Sequence, residues 1–273
     1  MLHHKKMLFL GGGNIAGAVA CGLVNSNAIP ADFITVYDID GDKLNKFAAL
    51  GINVTNDISA IPTDVEYMFL AVKPGIVKIV LRQLSSIEFT NKSFTIVSFA
   101  ASVTIDHIIK SFGREVPVIR TMPSTPILVG EGVLAVSRNN LVSPQVFEYF
   151  CRTMSSVAHV TTIDESLMNP IISVHGSSPA YVYLFIKSMI DAAEQQGIAP
   201  ELSIPLILKT IKGSVTMVEK SDKPIEELIA NVASPNGTTL AALQTFYDNN
   251  FSSIIADAMT ACTKRADEIS AEL

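Results

Sequence analysis

The sequence predicts an α/β fold: an N-terminal, mostly parallel sheet followed by an all-helical C-terminal domain. Three observations predict it. Short apolar runs of β type alternate with helical stretches over the first 160 residues or so. From about Asp164 the β-type runs cease. A glycine-rich turn joins the first apolar run to the first helical stretch.

Met7-Leu8-Phe9-Leu10 is a bare apolar run ending at glycines, as expected of a strand buried on both faces. Residues 14–25 read as a helix, Phe33 to Tyr37 as a second strand, and 41–50 as a helix stopped by Gly51. Tyr67 to Val72, Phe94 to Phe99, Val116 to Ile119 and Val133 to Val136 continue the strands. Helical stretches near 75–84, 104–111 and 144–153 lie between several of them. Such alternation implies right-handed crossovers and an open sheet, hence a Rossmann-type domain over residues 1–162. Beyond it, Tyr181, Leu184, Phe185, Met189, Ala192 and Ala193 fall at helical spacing, and Gly197 with Pro200 closes that helix. Further helices are expected near 201–219, 224–232, 238–247 and 250–271, making 163–273 an all-helical domain. Pro205 fits only if it lies in the first turn of its helix.

The composition sets outer bounds. A chain of 273 residues, 48% apolar and 17% charged, can support a full core and argues against extensive disorder. The formal charge is 20 − 26 = −6, with no basic run beyond His3-His4-Lys5-Lys6. That balance argues against nucleic acid or an anionic membrane as the main partner. Cys21, Cys151 and Cys262 are odd in number, far apart and without metal-ligand spacing, which fits reduced thiols in a cytoplasmic protein and no metal site. Residues 3–24, with Ala18-Val19-Ala20-Cys21, imitate a lipoprotein-type signal peptide. Three consecutive glycines and Asn14 interrupt the would-be apolar region, so the secretory reading is set aside.

Gly11-Gly12-Gly13-Asn14-Ile15-Ala16 follows the first strand and opens the first helix, in the pattern G-x-G-x-x-A. Gly11 permits the tight turn, Gly13 lets backbone approach a pyrophosphate, and Ala16 lets helix and strand pack closely. The unpaired N–H groups of Asn14 and Ile15 at the helix N-terminus explain how an acidic protein holds an anionic dinucleotide. A merely structural glycine-rich turn is the plainer alternative. Asp38 ends the second strand, where an acid accepts hydrogen bonds from an adenosine ribose 2′-hydroxyl and repels a 2′-phosphate. This favours NADH over NADPH, whereas Lys43 nearby, or a simple capping role for Asp38, leaves the choice open.

Three further segments carry a resemblance. Ala71-Val72-Lys73-Pro74, Arg120-Thr121-Met122-Pro123-Ser124-Thr125-Pro126 and Ser234-Pro235-Asn236-Gly237-Thr238-Thr239 resemble the motifs of the pyrroline-5-carboxylate reductases. Ser98-Phe99-Ala100-Ala101 and Gly176-Ser177-Ser178-Pro179-Ala180-Tyr181 extend the likeness in register over nearly the whole chain. The resemblance implies reduction of 1-pyrroline-5-carboxylate to L-proline by hydride from NAD(P)H. It implies that the loops at Gly11, at Ala71, Val72, Lys73 and Pro74, and at Ala100 and Ala101 surround the dinucleotide. A solvated loop lysine is the plain alternative for Lys73. Arg120 is expected either to fix its loop or to be an ordinary structural arginine.

The helical domain is expected to carry the substrate. Exposed N–H groups of Gly237 and Thr238, with the Ser234 and Thr239 hydroxyls, suit a small carboxylate, although an ordinary helix cap reads equally well. By the resemblance, Thr239 stands near the imine nitrogen and Glu165 belongs to the substrate site. Departures from the family pattern fall at Asp38, Ser102, Ser124, His175 and Ser178, and His175 reads better as a satisfied helix histidine than as a proton donor. The rivals are a β-hydroxyacid or 6-phosphogluconate-type dehydrogenase, for which Lys187 would be the catalytic lysine, and a non-catalytic NAD(P) sensor. Apolar stretches such as Ile204 to Ile211 are too many for a thin helical domain to bury alone. A homodimer or a ring of dimers is therefore expected, as in the family.

Overall fold

The computed structural model describes residues 4–273. Among the described residues, eight strands form one sheet in the order β3-β2-β1-β4-β5-β6-β7-β8. The strands are β1 (Met7–Leu10), β2 (Ile34–Tyr37), β3 (Asn53–Thr55), β4 (Tyr67–Leu70), β5 (Thr95–Ser98), β6 (Val118–Pro123), β7 (Val133–Arg138) and β8 (His159–Thr162). All neighbours pair in parallel except β6 with β7. The expected mostly parallel sheet is present.

β1, β4 and β5 are buried along their whole length. This explains the apolar runs of β1 and β4, because helices cover both faces, whereas β5 carries buried Thr95 and Ser98 at its ends. Alternation along the strands divides the core in two. Phe9, Phe69 and Val97 join α1 (Asn14–Asn25) and α5 (Pro144–Met154) on one face. Leu8, Leu10, Met68, Leu70 and Ile96 join α3 (Pro74–Ser85) and α4 (Ile105–Phe112) on the other. Phe9 and Phe69 stack with centroids 4.2 Å apart and ring planes 2° from parallel. A fully buried Phe or Leu of this kind contributes about 1.5–3 kcal/mol. The N-terminal segment resembling a secretory signal supplies β1 and α1 of this core, with His3 outside the described residues.

Two strands escaped the sequence reading. β3 is three residues of an outer strand, two of them exposed, and β8 is a polar, largely exposed outer strand, so neither shows an apolar run. The stretch read as a helix over 41–50 is a 3-10 turn (Gly41–Leu44) followed by the short α2 (Asn45–Ala48).

The helices that follow are α6 (Ser178–Gln195), α7 (Pro200–Lys220), α8 (Ile225–Val232), α9 (Thr238–Asp248) and α10 (Phe251–Glu272). Pro205 corrects an expectation: Pro200 already occupies the first turn of α7, and Pro205 lies inside the helix. It cannot donate the N–H that the carbonyl one turn earlier would normally accept. Strands end at Thr162, but the packing divides elsewhere. One compact unit runs to Ser177 and includes Cys262–Leu273; the second is Ser178–Ala261. Among the described residues, no helix is long and apolar enough to cross a membrane.

Tyr67 provides a test of the sheet unit. Its Oη donates to the Val146 carbonyl at 2.8 Å. Burial, reinforced by the neighbouring Tyr149, Glu66 and Cys151, pushes its phenol well above the ordinary value of 10.0. The folded state therefore keeps a proton that the unfolded chain loses near pH 10, and stability falls as pH rises past that point. Tyr67→Phe should cost about 1 kcal/mol in urea unfolding at pH 7. The gap between the variant and the parent should close as the pH is raised beyond 10.

Candidate active site

In this sheet the strand order reverses between β1 and β4: β2 and β3 extend to one side of β1, and β5 extends beyond β4. Open α/β sheets hold ligands in the crevice at such a reversal, beyond the carboxyl ends of the strands. The loops leaving β1, β4 and β5 are tied across it. Gly11 N donates to Tyr37 O at 2.7 Å, Ala71 N to Leu10 O at 2.9 Å, and Phe99 N to Leu70 O at 3.0 Å. The structure thus brings Gly11, Gly13, Ala71, Val72, Lys73, Pro74, Ala100 and Ala101 to one edge of one sheet.

Glycine is required at the first of these turns. Gly11 has φ +109°, and a Cβ on it would stand 2.6 Å from the Ala71 carbonyl oxygen. Gly13 is the N-cap of α1 and differs: no atom lies within 4 Å of its missing Cβ, and no side chain caps the helix. The first turn, Asn14 to Ala16, therefore keeps N–H groups that no side chain caps, and these fit a dinucleotide pyrophosphate. Ala16 is buried against the sheet, as its small size requires. Lys73 is the N-cap of α3, with Pro74 in the first turn.

Asp38 is buried at the end of β2. Its Oδ2 accepts Gly12 N at 2.7 Å and its Oδ1 accepts Asp40 N at 2.9 Å. Lys43 Nζ lies 3.6 Å from Asp38 Oδ1 and 3.5 Å from Asp40 Oδ2.

Arg120, within β6, is 4% exposed and has a structural partnership. It donates from Nη1 to Glu165 Oε1 at 3.3 Å and from Nη2 to Asn169 Oδ1 at 2.7 Å. Burial pushes its pKa below the usual arginine value, while Glu165 pulls it back up. Glu165 Oε1 also accepts Ile105 N, at 2.7 Å, at the start of α4. Asn169 Nδ2 donates to Asp267 Oδ1 at 2.8 Å and to Ser270 Oγ at 3.0 Å, and Ser270 Oγ donates to Ser102 O at 2.6 Å. Ser102 is buried with φ +64°, a left-handed conformation that costs a serine roughly 1–2 kcal/mol. The hydrogen-bonded chain thus fixes a strained residue beside Ala100 and Ala101. Asn169 and Ser270 are not legible as members of this network, because isolated polar residues in helical stretches look like solvated ones.

Two other departures have structural explanations. Ser124 Oγ accepts Val133 N at 2.9 Å and closes the β6–β7 hairpin. His175 Nε2 donates to Met122 O at 2.8 Å from a π-helical turn (Ile172–Gly176), so the satisfied-histidine reading fits. Burial raises the pKa of the Cys21 and Cys151 thiols, which makes both poor nucleophiles.

In the second unit, the turn before α9 brings Ser234, Gly237, Thr238 and Thr239 together. Gly237 N donates to Ser234 O at 2.9 Å, Asn236 has φ +58°, and a Cβ on Gly237 would collide with Ser234 Oγ at 2.3 Å. No side chain caps α9, so its first N–H groups are open to an anion. Thr239 lines an apolar cavity of about 910 Å³ with Gly213, Met217, Ile229 and Leu243. Lys187 is held by Asp191 one turn away, at 2.6 Å.

Comparison with known proteins converges on one family. A family model for pyrroline-5-carboxylate reductase dimerisation matches residues 165–269, and one for coenzyme F420-dependent NADP oxidoreductases matches residues 6–102. The pyrroline-5-carboxylate reductase of Escherichia coli is 34% identical over 270 residues, covering 97% of this chain and 98% of that protein. The Arabidopsis thaliana enzyme is 29% identical, covering 97% and 95%. Among solved structures, the Plasmodium falciparum pyrroline carboxylate reductase with NADP bound aligns with a TM-score of 0.90 and 31% identity, covering 99% of this chain and all of that one. With its motifs in register and its full length matched, the chain belongs to the pyrroline-5-carboxylate reductase family.

Proposed function

We propose that the chain reduces 1-pyrroline-5-carboxylate to L-proline with NAD(P)H, the closing step of proline biosynthesis. The observation that carries this reading is full-length membership of the family together with an uncapped glycine turn at the sheet's reversal point. A bound reduced nicotinamide supplies the hydride that, with one proton, adds across the C=N bond. In this reading Gly11, Gly13, Asn14, Ile15 and Ala16 hold the pyrophosphate. Ala71, Val72, Lys73, Pro74, Ala100 and Ala101 bound the nicotinamide side, and Asp38 meets the adenosine ribose. Ser234, Gly237 and Thr238 bind the carboxylate. Thr239 places its hydroxyl near the imine nitrogen, because hydride addition favours a protonated iminium. The chain's work is positioning and dinucleotide orientation rather than nucleophilic chemistry. Glu165, engaged by Arg120 and Ile105 N, belongs to the substrate site. We keep residues 163–273 as the substrate and dimerisation part, with the dinucleotide part before it.

We further infer a homodimer or a ring of dimers, in the cytoplasm. Within Ser178–Ala261 only Ser203 and Ile207 are buried, while Leu184, Leu202, Leu206, Met217 and Val232 are each more than half exposed. Such a unit lacks a core of its own, and a second copy is the partner that the matched dimerisation family supplies. The unpaired cysteines fit a reducing compartment.

Three measurements test this. Thr239→Ala should lower turnover of pyrroline-5-carboxylate by at least about tenfold and leave dinucleotide affinity unchanged; normal turnover would refute the role given to Thr239. Gly11→Ala should abolish dinucleotide fluorescence binding and lower the melting temperature by about 4 °C or more, because both φ and the Ala71 carbonyl oppose a methyl group. Light scattering at micromolar concentration should give at least twice 29.3 kDa, and a monomer would contradict the assembly.

A further inference from the structure

We infer that this chain selects NADH over NADPH, and that Asp38 is the residue that decides it. The inference rests on the dinucleotide reading above and goes beyond it, since that reading leaves the 2′-position open.

Asp38 is held rigidly. Each carboxylate oxygen is fixed by a different backbone N–H: Oδ2 by Gly12 in the glycine turn, and Oδ1 by Asp40 in the loop after β2. Gly12 sits directly over it, with its missing Cβ 3.4 Å from Asp38 Cβ and 3.5 Å from Oδ2. The acid therefore cannot swing aside without releasing the turn that holds the pyrophosphate. Each carboxylate oxygen has two acceptor sites and has spent only one on backbone, so acceptor capacity remains for a ribose hydroxyl. A 2′-phosphate offers no proton for that role and brings a second anion against a fixed one.

The surrounding charges do not relieve this conflict. Asp40 and Asp42 lie within four residues of Asp38, and no arginine occurs between residues 31 and 60 to grip a phosphate in bidentate fashion. The two lysines present are already engaged. Lys43 is shared between Asp38 and Asp40, and Lys46 Nζ donates to Gly13 O at 3.3 Å. Recruiting Lys43 to a phosphate would take it from two carboxylates. Ile39, next to Asp38 and 82% exposed, adds no positive charge to the approach to the ribose beyond Lys43.

The test is equilibrium fluorescence titration of the full-length protein with NADH and with NADPH, without imine, so the readout does not depend on catalysis. NADH should bind at least about tenfold more tightly. Asp38→Asn, which keeps an acceptor oxygen but removes the charge, should bring the ratio to within about threefold. Ile39→Arg, which leaves the Asp38–Gly12 bond in place, should strengthen NADPH binding by about fivefold or more. Equal or tighter binding of NADPH by the parent overturns the preference alone. Loss of NADPH but not NADH binding in Lys43→Ala also overturns it, by making Lys43 a phosphate clamp. Failure to bind either nucleotide overturns the dinucleotide reading itself.

Discussion

The whole cofactor edge depends on one close approach between two backbones. Gly11 leaves β1 in a conformation only glycine adopts readily and passes so near the Ala71 carbonyl that a methyl group has no room. That contact sets the width of the crevice where the strand order reverses. The open N-terminus of α1 and the loop after β4 then face the same space. The two aromatic rings beneath, Phe9 and Phe69, stack nearly parallel on neighbouring positions of β1 and β4 and keep the two strands in register.

A second constraint acts through the buried guanidinium of Arg120. Isolated in the core it would be costly, and Glu165 and Asn169 offset that cost. Because those partners also reach Ile105 and Ser270, the arginine joins the start of α4, the loop after β5 and the last turn of α10 into one polar network. A family reading of Glu165 as a substrate residue and its place in this network meet at the same side chain.

The sequence made the central strands legible because burial on both faces leaves no room for polar residues: Met7 to Leu10 and Tyr67 to Leu70 read as strands at once. The outer strands were not legible. Asn53 to Thr55 and His159 to Thr162 face solvent and carry no apolar pattern, so only pairing with β2 and β7 makes them strands. The glycine turn was legible because its spacing records a steric demand. The Asn169–Ser270 link was not, because its partners lie 101 residues apart and each alone looks like a surface residue. Pro205 shows the opposite error, since a residue that disfavours helix interiors is carried within one by its surroundings.

The hydrogen bond from Ser270 to the carbonyl of Ser102 spans 168 residues and starts in the last turn of α10. β1 to β8 precede α10 in the chain, so the loop after β5 gains this tether only when the last helix docks. A substitution at Ser270 therefore acts on a loop 168 residues earlier in the chain.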